Sequence, residues 1–96
     1  MPLRFHYTIY GDVQGVWFRR FTKQKADELG IVGWVKNDAG GSVSGVAAST
    51  SDSALDQFKR AINRGPPHAT VERVDITDER EIDDVEFTSF EIRRSS

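Results

Sequence analysis

The sequence contains no cysteine. That excludes disulfides, thiolate nucleophiles and cysteine-based zinc or iron–sulfur centres, and it suits a reducing compartment. Long apolar runs are also missing, and none approaches the ~20 residues of a membrane span. Met1-Pro2-Leu3-Arg4 lacks the apolar core of a signal peptide. These absences lead to the expectation of a cytoplasmic protein. Charge of one sign is not in excess. Thirteen Lys and Arg face fifteen Asp and Glu, a formal net charge of -2. No bulk attraction to nucleic acid or to a membrane follows from that balance. The two histidines, His6 and His68, have neither ligand nor triad spacing.

What remains is an ordinary globular composition, 38% hydrophobic and 29% charged, over 96 residues. That length supports one domain and one core, taken as residues 1–96. Residues 3–10 alternate as a strand, with Leu3, Phe5, Tyr7 and Ile9 on one face. Residues 18–29 read as a helix burying Phe18, Thr22, Ala26 and Leu29, with Gly30 as its C-terminal cap. A strand over 31–36, a turn-rich loop over 37–41 and a returning strand over 42–48 form a hairpin. Thr50 to Ser53 offer N-caps for a second helix carrying Leu55, Phe58 and Ile62. Gly65-Pro66-Pro67 stops it. A strand over 70–77, an acidic loop over 78–84, a last strand over 85–92 and a frayed tail complete the chain. The order β-α-β-β-α-β plus a closing strand predicts a ferredoxin-like α+β sandwich. Its sheet is expected to be antiparallel, with two helices on one face.

The stretch with most chemical content is Gly11-Asp12-Val13-Gln14-Gly15-Val16-Trp17-Phe18-Arg19. Two glycines bracket a turn between strand and helix, so several backbone N–H groups can converge as a nest. The helix start adds unpaired N–H groups and a positive dipole end. Arg19, in the first helical turn, adds a forked, permanent cation. Together they suit a small anion, above all a phosphoryl group. In a split βαβ unit the first two strands run parallel, so Asn37 is expected on the same rim as this turn.

Gly11-x-Val13-Gln14-Gly15-Val16-x-Phe18-Arg19 resembles the signature of the acylphosphatase family. The resemblance continues through Thr22, Ala26, Leu29-Gly30, Gly33-Trp34-Val35-x-Asn37, Gly41-x-Val43-x-Gly45 and Phe90-x-Ile92. It implies hydrolysis of an acyl phosphate to a carboxylate and inorganic phosphate, without a metal. It implies that Arg19 and the turn amides bind the phosphate, and that Asn37 orients the attacking water. The residue chemistry agrees. The bond is reactive, so the need is for charge stabilisation at the phosphoryl oxygens and an in-line water. Asn37 has one acceptor and two donors for that water. The chain departs from the family pattern at Asp12, where relatives commonly carry a basic residue, and at Asp38, where they often carry Thr or Ser. Gln14 reads either as a solvated side chain or as a brace for the loop. Trp17 reads either as a shield for the site or as packing on the helix.

The rival reading is a binding module in which Phe5 and Tyr7 stack bases. The RNA-recognition consensus is missing, however, and the net charge is negative. The expected partner is a small acyl phosphate, with no nucleic acid and no membrane, acting on a monomer.

Overall fold

The alternation in residues 3–10 becomes a two-faced strand, β1 (Leu3–Asp12). In the computed structural model, which describes residues 2–15, 17–85 and 87–94, Phe5, Tyr7 and Ile9 are fully buried. Arg4, His6, Thr8 and Tyr10, between them, are half-buried. The chain continues as α1 (Phe18–Leu29), β2 (Val32–Asn37), β3 (Val43–Ser49), α2 (Asp52–Arg64), β4 (Thr70–Glu81) and β5 (Phe90–Ile92). α1 buries Phe18, Thr22 and Ala26 and closes at Gly30, whose N–H reaches the carbonyls of Ala26 and Asp27. α2 starts where the Ser51 hydroxyl accepts from the Ala54 N–H at 3.1 Å, a side-chain cap. Its Phe58 is the hub of the core. The Phe58 ring meets those of Tyr7 at 5.5 Å, Phe90 at 6.0 Å and Phe5 at 6.3 Å.

The sheet order is β4-β1-β3-β2-β5. β1 and β2 are both antiparallel to β3, and therefore parallel to each other. Three corrections to the sequence reading follow. The sheet is mixed, because β5 runs parallel to β2. β4 ends beside the start of β1, so a strand added next to β2 from that end must run with it. β4 also runs on to Glu81, through half of the expected acidic loop, pairing Glu81 with Leu3 and Arg80 with Arg4. Its outer edge meets solvent, so charges there carry no burial cost. Finally, β5 is only three residues long. Its ladder extends one step into the expected tail, where the Arg93 N–H donates to the Val35 carbonyl at 2.8 Å.

Phe5 and Tyr7 lie under the helices, with no face open to a base. The opposite face carries Trp34, half-buried under the Arg93 guanidinium at 4.6 Å and the Lys36 ammonium at 5.6 Å. His6 meets Trp34 edge-on at 6.3 Å.

Tyr7 pins three strands. Gly45 of β3 stands opposite it in the register. A Cβ at Gly45 would overlap both the Tyr7 hydroxyl and the Trp34 carbonyl. Because that space is empty, the Tyr7 hydroxyl passes over β3 and donates to the Trp34 carbonyl of β2 at 2.9 Å. Burial holds the Tyr7 phenol well above the ordinary tyrosine range. The folded state thus keeps a proton that the unfolded state gives up near pH 10. Its contribution is whole below that pH and drains away as pH rises towards the folded value. The Tyr7→Phe variant is expected to lose about 1 kcal/mol at pH 7, the net worth of one hydrogen bond. It should also lose less stability than the parent between pH 9 and 11. Urea midpoints across that range check both statements, and parallel curves would sink the second.

Candidate active site

The parallel run of β1 and β2 brings their C-terminal ends to one end of the sheet. Val43 of β3 faces Ile9 of β1 on one side and Asn37 of β2 on the other. The β1–α1 connection therefore passes close to Asn37, although 20 or more positions separate them in sequence.

That connection is shorter than the sequence suggests. Gly11 and Asp12 belong to β1, paired with Val71 and Thr70, and not to the turn. The register shifts between Tyr10 and Gly11, a bulge at which Gly11 takes φ 131°. A Cβ there would overlap the Thr70 carbonyl, so glycine serves strand packing at this position. Asp12 is exposed. Val13 is buried to 1% and anchors the turn to the core. Gln14 is the brace: its Nε2 donates to the carbonyls of Asp38 at 2.8 Å and Ser42 at 2.9 Å. Both carbonyls belong to the β2–β3 hairpin. Gly15 and Trp17 follow at φ 75° and 65°. Val16, between them, lies outside the described residues.

The start of α1 is open. Phe18, Arg19 and Arg20 occupy its first turn, where backbone N–H groups have no intrahelical acceptor. The first helical bond there runs from the Phe21 N–H to the Trp17 carbonyl, 2.9 Å away. Trp17 occupies the N-cap position and its side chain makes no cap bond. The first turn also lacks an acidic residue. It carries two arginines where the helix dipole is positive, an arrangement unfavourable until an anion arrives.

These elements enclose a cavity of about 370 Å³. Val13, Gly15, Phe18, Arg19 and Asn37 line it. Trp17, Arg20 and Ile92 complete the wall, whereas Gly11, Asp12 and Gln14 do not line it. Arg19 is half-buried. Other half-buried cations are engaged: Lys23, Lys25 and Lys59 with carboxylates, Lys36 with Trp34. Among the described residues neither the Arg19 guanidinium nor the Asn37 amide has an intramolecular partner. Both are available to a ligand in the cavity.

The hairpin that presents Asn37 is well bound. The Asp38 N–H donates to the Ser42 carbonyl at 2.8 Å, and the Gly41 N–H returns to the Asp38 carbonyl at 3.2 Å. The Asp38 carboxylate accepts from the hydroxyls of Ser42 and Ser44, both at 2.8 Å. Sequence reasoning placed Ile92 in the closing strand and in the family pattern but gave it no part in the site. Its neighbours along β5 read only as strand, and nothing local marks it as a wall of a site formed 70 residues earlier.

The acylphosphatase family model matches residues 5–92. The chain belongs to the acylphosphatase family. It is 40% identical over 90 residues to acylphosphatase-1 of Gallus gallus, covering 92% of this chain and 89% of that one. It is 39% identical over 88 residues to acylphosphatase-2 of Xenopus tropicalis, covering 91% and 84%. The solved structure of an acylphosphatase from Coxiella burnetii superposes with a TM-score of 0.85 at 35% identity, over 96% of this chain and 93% of that one. The family hydrolyses acyl phosphates, so the chain is a hydrolase whose substrate is a small acyl phosphate. Among the described residues no three His, Asp or Glu side chains are grouped to hold a metal ion. Among the described residues no helix is long and apolar enough to cross a membrane.

The two departures from the family pattern have different surroundings. Asp38 is consumed inside the hairpin by two serine hydroxyls. Asp12 is exposed on β1 and off the cavity wall, so its like-charge effect on a bound phosphate is screened. The Asp12→Asn variant is expected to change competitive inhibition by inorganic phosphate less than about threefold. A tenfold gain in phosphate affinity would put the carboxylate at the site.

Proposed function

We propose that Arg19 and the amides of the α1 start bind the phosphoryl group, and that Asn37 directs the attacking water. One observation carries this reading. Arg19, half-buried without an intramolecular partner, and Asn37, equally free among the described residues, line one cavity at an uncapped helix start. Water attacks phosphorus in line with the bond to the acyl oxygen. That P–O bond breaks, and the carboxylate leaves with the electron pair. Arg19 and the N–H groups stabilise the charge on the equatorial oxygens. The Asn37 side-chain carbonyl accepts from the water and its NH₂ donates to a phosphoryl oxygen. Asparagine is no base at neutral pH, so the water's proton passes to an oxygen of the substrate itself or to bulk water.

Gly15, Trp17 and Phe18 shape the turn. Gln14 supports the reading from outside the cavity, by tying the turn to the Asn37 hairpin. The chain is taken to act as one domain, 1–96, as a cytoplasmic monomer without metal or cofactor. The test is hydrolysis of benzoyl phosphate with and without chelator, together with the sedimentation of the active species. The expected result is an undiminished rate in chelator and activity sedimenting as a monomer. No rate above the uncatalysed reaction would overturn the proposal. Loss of activity in chelator would overturn its metal-independence.

A further inference from the structure

Trp17 and Ile92 are the large apolar side chains that stand exposed among the described residues, at 69% and 42%. They are 75 positions apart in the chain, yet both line the cavity that holds Arg19 and Asn37. Scattered exposed apolar residues are ordinary, but two lining one cavity beside a cation and an amide form a local apolar wall. Three further observations indicate that the wall is built. Trp17 sits at φ 65°, a backbone conformation that bulky residues rarely adopt. Strain of this kind collects at ligand sites, and here it is spent on an indole that packs against no core. The Arg20 guanidinium lies 4.8 Å over the indole and covers it on one side. The Lys23 ammonium donates to the Phe90 carbonyl at 3.0 Å, which ties β5 to α1 and brings Ile92 beside the start of the helix.

A cavity of about 370 Å³ falls within the range of small-molecule sites and exceeds what a phosphoryl group alone occupies. The phosphoryl group is held by Arg19 and Asn37. The acyl group, leaving in line with the water, needs room beyond it.

We infer that Trp17 and Ile92 form an acyl-group subsite that favours aromatic and larger aliphatic acyl phosphates over acetyl or carbamoyl phosphate. The inference rests on the phosphate-site reading of Arg19 and Asn37. Substrate discrimination then comes from apolar contact with the leaving group, which one or two lost methylene-sized contacts weaken by about tenfold.

The experiment compares kcat/KM for benzoyl and acetyl phosphate, each divided by its uncatalysed hydrolysis rate. The parent is expected to favour benzoyl phosphate at least tenfold by that measure. Ile92→Ser and Trp17→Asn are each expected to lower this ratio about tenfold, chiefly through KM for benzoyl phosphate. Asparagine tolerates positive φ, so the second variant keeps the turn. Benzoate should inhibit the parent more strongly than acetate, and the variants should narrow that difference. This inhibition needs no turnover by the variants. Hydrolysis of both substrates with a ratio near one in the parent would overturn the subsite and leave the phosphate site standing. Equal proportional losses on both substrates would make Trp17 and Ile92 structural residues and also overturn it. Hydrolysis of neither substrate would remove the phosphate-site reading, and the subsite with it.

Discussion

Replacing Arg19 by Gln is expected to lower kcat/KM for benzoyl phosphate by about three orders of magnitude and to leave the fold intact. The size follows from what a single charged donor supplies to phosphoryl transfer. The intact fold follows from the surroundings of the side chain. Arg19 makes no intramolecular ion pair or hydrogen bond among the described residues, so its loss leaves no buried group unsatisfied. It also stands in the first turn of α1, where a cation opposes the dipole. Removing it should raise the stability of the ligand-free protein by about 0.3–1 kcal/mol. Activity and stability are thus expected to move in opposite directions, which separates a ligand-binding arginine from a structural one. Inorganic phosphate should stabilise the parent in thermal unfolding and stabilise the variant far less, because only a ligand that binds the folded state shifts it. Arg19→Lys keeps the charge but loses the planar fork, so its rate should fall between the two. Retention of activity within tenfold in Arg19→Gln would remove the arginine from the mechanism.

Asn37→Ala is expected to lower kcat by about two to three orders of magnitude while KM and inhibition by phosphate change less than threefold. A residue that places the nucleophile acts on the transition state and contributes little to ground-state binding. The backbone position of Asn37 is secured independently of its side chain. It is paired with Val43 in the β2–β3 ladder, and the hairpin beyond it is bound by Asp38 and by the two bonds from Gln14. Removal of the amide should leave that frame in place, and an unchanged urea midpoint would show it. A parallel rise in KM and in the phosphate inhibition constant, with kcat preserved, would reassign Asn37 from water placement to phosphate binding.

The span of α1, Phe18–Leu29, was legible, because Thr22 and Ala26 repeat at helical spacing and Gly30 closes the last turn. The strand core of Phe5, Tyr7 and Ile9 was equally clear from its period of two. The extension of β4 over Asp78 to Glu81 was not. Four charged residues in succession look like a loop, and an edge strand facing solvent accepts them only because β1 supplies the partner. Gly11 read as a turn glycine. Its actual constraint is the carbonyl of Thr70, nearly 60 positions later. Gln14 could not be resolved from sequence, since its acceptors are two backbone carbonyls of another hairpin.

The order of elements, the faces of β1, α1 and α2, and the short list that contained Arg19 and Asn37 were determined by the sequence alone. Those features depend on local spacing and on residue chemistry, both of which are written along the chain. Tertiary structure decided the direction of β5, the reach of β4 and the withdrawal of Gly11 and Asp12 into the sheet. It also brought Trp17 and Ile92 to one cavity. Each of those depends on which backbone lies alongside which, and that is set by packing two helices over one face of a five-stranded sheet.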